Sequence, residues 1–231
     1  MRSLVCLLLL ASVCPAQEAE NYVFGFLRAH PERKTLPEAE AQAIQKAHLS
    51  HLDKMAKDGV LVGAGPLIES PDLRGVLIFR GLSIEQARQL ASQDPAVINK
   101  RLHVHLENWT AQKGIGDGIA KAMKDPNYKF KMTRYGFVVS WLTPDSPKDW
   151  NNPEVKAKLN EHIEWMKANR SKFAAFGPFK DSKELLGVIV LRSTDLDAAS
   201  ALMKEEPFVR AGWVRPQLLT WMVAEGVMAA E

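Results

Sequence analysis

This sequence predicts an α+β fold made of two tandem copies of one domain, and three observations carry the prediction. The first is a block that occurs twice: Gly65-Pro66, Gly75 and Pro95 recur 112 positions later, without a gap, as Gly177-Pro178, Gly187 and Pro207. Ser70, Leu73, Val76, Arg80, Ala87, Leu90 and Trp109 meet Ser182, Leu185, Val188, Arg192, Ala199, Leu202 and Trp221 in the same register, which marks a duplication. The second is the alternation, inside each copy, of short β-branched and aromatic runs with runs of helical spacing. The third is composition: 46% hydrophobic and 25% charged residues in a chain of 231 describe a globular protein. That length leaves room for two domains of roughly 100 residues each.

Tyr22 to Arg28 is the first strand, broken by Ala29-His30-Pro31. Pro37 opens a helix whose apolar positions Ile44, Ala47, Leu52 and Met55 return at helical steps until Gly59 stops it. Val60 to Ala64 and Val76 to Phe79 are the next strands, joined by a polar turn at Ser70-Pro71-Asp72. Ser83 and Gln86 form a capping box, Ile84, Ala87 and Leu90 give the second helix its buried face, and Asp94-Pro95 ends it. In the last strand Leu102, Val104 and Leu106 alternate with His103 and His105, one apolar face against one polar face. Strand, helix, strand, strand, helix, strand is the ferredoxin-like (βαββαβ) order, an antiparallel sheet with both helices on one side.

The second copy repeats that order. It has strands at Phe137 to Leu142, Phe173 to Phe176, Val188 to Leu191 and Val214 to Trp221, a helix opened by Asn152-Pro153, and another after Asp195. Thr110 to Arg134, rich in Gly and Lys with one helical turn at Ile119 to Met123, joins the copies; its Gly114-x-Gly116-x-Gly118 follows no buried strand and is linker. The predicted organisation is a signal peptide at 1–16, domains at 17–109 and 135–231, and a linker at 110–134. A sheet covered on one face needs a cover for the other, which a duplicated chain can supply, so an intramolecular pseudo-dimer is expected, with further homo-oligomers as an option.

Arg2, the apolar run Leu4 to Ala11, and the small residues Cys14 and Ala16 read as a secretory signal. A lipoprotein signal ending at Cys14 is the rival reading, opposed by the bulk of Val13. The expectation is an exported protein, periplasmic or extracellular. Cys6 and Cys14 both fall within the signal, so the exported chain would have no thiol for disulfide, nucleophile or zinc. No later segment is apolar enough to span a membrane, and a net charge of +3 with scattered Lys and Arg gives no case for nucleic acid.

A helical histidine followed by leucine (His48-Leu49), a glycine eleven residues on (Gly59), then Gly65-Pro66, Gly75 and Asp94-Pro95 together resemble the YCII-related (YciI-like) family over Tyr22 to Trp109. Tyr135 to Met222 is similar, with His162 set against His48 and Glu206 where the family has aspartate. The resemblance implies a fold of the dimeric α+β-barrel type and a pocket centred on a histidine and an aspartate. It also implies relatives of mostly unknown activity, one of them a dehydrochlorinase of aromatic degradation. The family's arginine three residues before the histidine is Gln45 here and Leu159 in the second copy, so neither half offers a guanidinium at that point.

His48 sits on the apolar stripe of its helix between Ile44 and Leu52, and His162 on the matching stripe among Leu159, Ile163 and Met166. A core histidine bonded to a backbone carbonyl would occupy the same place, and Asp-Pro is a common helix stop. The functional reading pairs His48 with Asp94, and His162 with Glu206, so that the carboxylate fixes the imidazole tautomer and leaves the other nitrogen basic. Arg80, Arg192, His51, His103 and His105 are the candidate substrate-binding residues. His48-x-x-His51 with His103-x-His105 also has the makings of a three-imidazole metal site, but Arg215 and Gln217 replace the strand pair in the second copy. The sequence therefore assigns no metal and no cofactor. Two functions remain: an acid-base enzyme of lyase, isomerase or hydrolase type acting on a small carbonyl, lactone or halogenated compound, or a non-catalytic module binding a small ligand or metal.

Overall fold

The computed structural model describes residues 18–228, so residues 1–16, for which the sequence suggests a signal peptide, lie outside the described residues. The first copy comprises β1 (Ala19–Ala29), α1 (Glu38–Lys57), β2 (Leu61–Ile68), β3 (Leu73–Arg80), α2 (Ile84–Ser92), α3 (Pro95–Ile98) and β4 (Leu102–Gln112). The connector carries α4 (Asp117–Ala122). The second copy comprises β5 (Met132–Leu142), α5 (Pro153–Ala168), β6 (Phe173–Lys180), β7 (Leu185–Leu191), α6 (Leu196–Lys204), α7 (Pro207–Arg210) and β8 (Val214–Ala224). No helix among the described residues is long and apolar enough to cross a membrane.

Two compact units form, and they are not divided where the repeat is divided. The first-copy unit holds Tyr22–Asn108, the connector Gly114–Thr133 and the end of β8 from Trp221. The second-copy unit holds Arg134–Thr220 and Trp109–Lys113, the end of β4.

In the first-copy unit the sheet order is β4-β1-β3-β2, followed by the end of β8. Antiparallel pairing sets Phe24 opposite Ile78 and Gly65 opposite Val76. One sheet face carries Val23, Leu27, Leu61, Leu77 and Phe79 into a core with Met55 of α1 and Ala87 of α2, so both helices cover the same side. Phe24, Phe26, Val76 and Ile78, on the alternate positions, are also buried. Glu38 and Glu40 in the first turn of α1 and Lys54 and Lys57 in its last oppose the helix dipole. Gly59, at φ +76°, then ends the helix in the left-handed conformation that costs glycine nothing. The capping box of α2 is complete, Ser83 Oγ accepting from Gln86 N–H and Gln86 Oε1 from Ser83 N–H.

The second-copy unit repeats this with β8-β5-β7-β6 and the end of β4. Its helix-side core is more aromatic, with Trp150, Phe173, Phe176 and Phe208 among Val138, Leu159, Ile163 and Met203. Asn152 and Asp195 cap α5 and α6 as their sequence positions predict.

Three features differ from the sequence expectation. β2 and β6 do not stop before Gly-Pro but run through it. A Cβ on Gly65 would lie 1.8 Å from the Met222 carbonyl oxygen of β8, and one on Gly177 would lie 1.9 Å from that of Thr110 of β4. The repeated glycine is therefore a site of close backbone approach, where the end of a strand from the other copy joins the sheet. Trp109 Nε1–H donates to the Gly177 carbonyl at 3.0 Å at the same junction. Second, Asp94-Pro95 and Glu206-Pro207 do more than stop a helix: each acid is the N-cap of α3 or α7, with proline in the first turn where its missing N–H costs no bond. Third, the connector is packed rather than free. Ile115 is 1% exposed, and a Cβ on Gly116 would come 2.6 Å from that of Val62.

Candidate active site

Two local devices bring the His–acid pair of the first copy together. The apolar stripe of α1 turns His48 toward the sheet, and the N-cap of α3 fixes Asp94 at the end of the α2–α3 turn. His48 Nδ1 lies 2.6 Å from Asp94 Oδ2, with the two side chains 8% and 2% exposed. Asp94 Oδ1 accepts the Ala96 N–H at 2.8 Å. Because the carboxylate accepts from both groups, Nδ1 carries a proton, and Nε2 is the ring nitrogen left to face the cavity. His48 lines a cavity of 820 Å³ whose wall includes Gln45, Leu52, Leu61, Pro66 and Ala96, and connector residues such as Ile119 and Phe130.

The second copy keeps the pair and loses the space. His162 Nδ1 is 2.6 Å from Glu206 Oε1, so the extra methylene of glutamate is absorbed without breaking the contact. Glu206 also accepts from Phe208 N–H at 3.1 Å and from Val209 N–H at 2.8 Å. The His162 ring stacks on Phe208, with ring centroids 4.5 Å apart at 14°, and Trp165 lies 6.4 Å away on the helix. Trp150 and Trp213 each pack 5.7 Å from Phe208. Only 50 Å³ remains beside His162, enough for a water or two. In the duplicated register Phe208 stands where the first copy has Ala96, and Trp213 where it has Arg101.

The other sequence candidates are not gathered at His48. His51 Nε2 bonds the Leu90 carbonyl at 3.0 Å and ties α1 to α2. His105 Nε2 pairs with Glu107 at 2.8 Å. His103 lies edge-on to His30, 6.0 Å between centroids. Burial, followed by the positive charges of Arg28 and His30, holds its imidazole below the ordinary histidine pKa. Arg80 does line the cavity, but it donates to Asp117 Oδ1 at 2.7 Å and to the Ile115 carbonyl, holding the connector. Arg192 is half-buried in the second-copy unit, its backbone N–H on the Lys172 carbonyl at 2.9 Å. Arg215 lies 6.0 Å over the Trp141 ring, whose indole N–H donates to Gln217. Among the described residues no group of three or more His, Cys, Asp or Glu side chains is arranged to hold a metal ion.

Sequence reasoning did not single out Arg33, Arg74 and Arg101, which line the same cavity as His48. The signal was present in the repeat: Arg74 becomes Leu186 and Arg101 becomes Trp213, charge in one copy against apolar bulk in the other.

A two-fold repeat of an antiparallel α+β unit with a histidine–carboxylate pair in each copy defines the class. The chain belongs to the YCII-related domain family, whose signature matches residues 23–105 and again 139–221. No curated protein matches the chain. Among solved structures it is similar to a variant of the chlorite dismutase from Candidatus Nitrospira defluvii, with 10% identity, 92% of this chain and 94% of that one covered, and a TM-score of 0.55. It is also similar to a heme-binding protein from Thermus thermophilus, with 12% identity, 90% and 93% covered, and a TM-score of 0.52. At such identities the likeness shows the fold alone, an α+β architecture.

Proposed function

We propose that the first copy is an acid-base enzyme acting on a small carbonyl, lactone or halogenated compound, with His48 as the proton carrier and Asp94 as its positioning residue. One observation carries this reading: an imidazole with Nδ1 committed to Asp94, and with no second hydrogen bond among the described residues, in the wall of an 820 Å³ cavity. Nε2 takes the proton from a carbon next to a carbonyl as the C–H bond breaks. The electron pair moves onto the carbonyl oxygen or expels a β-halide, and the imidazolium facing Asp94 returns the proton in an isomerisation.

The test is deuterium incorporation, followed by proton NMR in D2O, across a panel of lactones, enol-lactones and β-halo carbonyl compounds. A substrate should exchange, and His48→Ala or Asp94→Asn should slow exchange by about 100-fold or more, as loss of a general base does. Equal rates in wild type and His48→Ala would remove the enzyme reading. The rival is a binding module without turnover. One solved structure of this fold is described as heme-binding, so hemin is titrated in the same series. A Soret band that disappears in His48→Ala would assign Nε2 to an axial bond instead of a proton.

Two structural readings accompany the proposal. The two tandem matches to one domain family support an intramolecular pseudo-dimer. The charged, apolar and small-residue order of residues 2–16 supports export, and an N-terminus at Gln17 in protein recovered outside the cytoplasm would bear this out.

A further inference from the structure

Resting on the first-copy site just proposed, the cavity carries a second piece of chemistry that its histidine does not use. Arg33 from the β1–α1 loop, Arg74 from the start of β3 and Arg101 from the start of β4 all line it. None of the three forms an ion pair among the described residues. The acids nearest in sequence or sharing the wall are taken elsewhere: Glu32 by Lys100, Asp53 by Lys57 at 2.7 Å, and Asp72 by Arg28. Arg101 gives one N–H to the Lys34 carbonyl and keeps the rest of its fork. All three line the one cavity, and partial burial, and next the charges of Arg101 and Arg74, hold the Arg33 guanidinium below its ordinary pKa.

Like charges that converge without a counter-charge raise the local concentration of anions, the more so beside low-dielectric walls. The remaining wall is largely apolar. Leu49, Met123, Phe130 and Met132, all exposed, belong to this one cavity. Exposed side chains of that size in one place mark a surface made to be covered.

We propose that the ligand of this cavity is a small organic acid: a carboxylate held by Arg33, Arg74 and Arg101, with an apolar body laid along the connector wall toward His48. Guanidinium forks match a carboxylate bidentately, and none of the family's usual arginine is needed, since Gln45 occupies that helix position. The second copy, with Leu186 and Trp213 at the positions of Arg74 and Arg101, takes no such ligand.

Calorimetric titration of the whole protein with 2-naphthoate and with 2-naphthamide, which share a body and differ in charge, tests this. Wild type should bind naphthoate at least about tenfold more tightly, the worth of one charge-assisted contact, and the preference should shrink as salt rises. Arg33→Gln with Arg74→Gln should bring naphthoate down to naphthamide while leaving naphthamide unchanged. If the double variant loses both ligands, the single variants are read by the same criterion. His48→Ala should retain the preference, which separates failure of the acid-base reading from failure of the anion site. Equal binding of the two ligands by wild type, no binding of naphthoate, or a preference that survives both arginine substitutions overturns the proposal.

Discussion

The two copies share a histidine–carboxylate pair at the same 2.6 Å separation, yet one pair faces an 820 Å³ cavity and the other a 50 Å³ gap. What separates them is volume in the side chains around the pair. Ala96 leaves space over His48, whereas Phe208 stacks on His162 and is in turn held by Trp150 and Trp213. The comparison teaches that the pair has a structural use independent of chemistry. In both copies the acid caps a short helix, and the imidazole ties α1 or α5 to that cap. A pair that survives where no ligand fits is explained by that bond. The same pair beside open space has a nitrogen to spare.

The comparison can be broken most sharply by emptying the filled copy. Phe208→Ala removes a ring with no exposed surface, and should cost about 3–5 kcal/mol in chemical denaturation while leaving first-copy exchange and naphthoate binding untouched. A variant as stable as wild type would mean that the second copy is not packed as described. Filling the open copy is the reciprocal step. Ala96→Phe should build the second copy's stack over His48 and cut first-copy turnover and binding by roughly 100-fold, the scale of a misplaced reacting group. Unchanged binding in a folded Ala96→Phe protein would place the ligand elsewhere. What the copies share should respond equally: Gly65→Ala and Gly177→Ala each force a methyl onto a backbone carbonyl and should cost about 1–3 kcal/mol apiece. Unequal melting shifts would show that the two strand junctions are not equivalent.

Much of this fold was legible in the sequence because its signals are local. Ser83 with Gln86, Pro37, Asn152-Pro153 and Asp195 mark helix starts through bonds and backbone preferences that reach only a few positions. The alternation from Leu102 to Leu106 placed β4 correctly, though the strand runs on to Gln112. The pairing of His48 with Asp94 was implied by the resemblance to the YCII-related family and not by the residues themselves, since neither a helical stripe nor a helix stop says what the side chain will meet; the structure sets the two 2.6 Å apart. His51, His103 and His105 were candidates for substrate binding by their spacing, and spacing gives a face and not the partner on it. Leu90, His30 and Glu107 satisfy or crowd them instead.

By itself, then, the sequence determined the duplication and the order of elements, both set by periodicity, capping and register, while its family resemblance pointed to the two histidine–acid pairs. Only the tertiary structure decided what Gly65 and Gly177 are for, because a missing Cβ gains its meaning from the Met222 and Thr110 carbonyls, more than 60 residues away in sequence. It also decided which pair has room for a ligand and which three arginines stand beside it. Volume and convergence are properties of packed surfaces, to which no single stretch of chain holds the key.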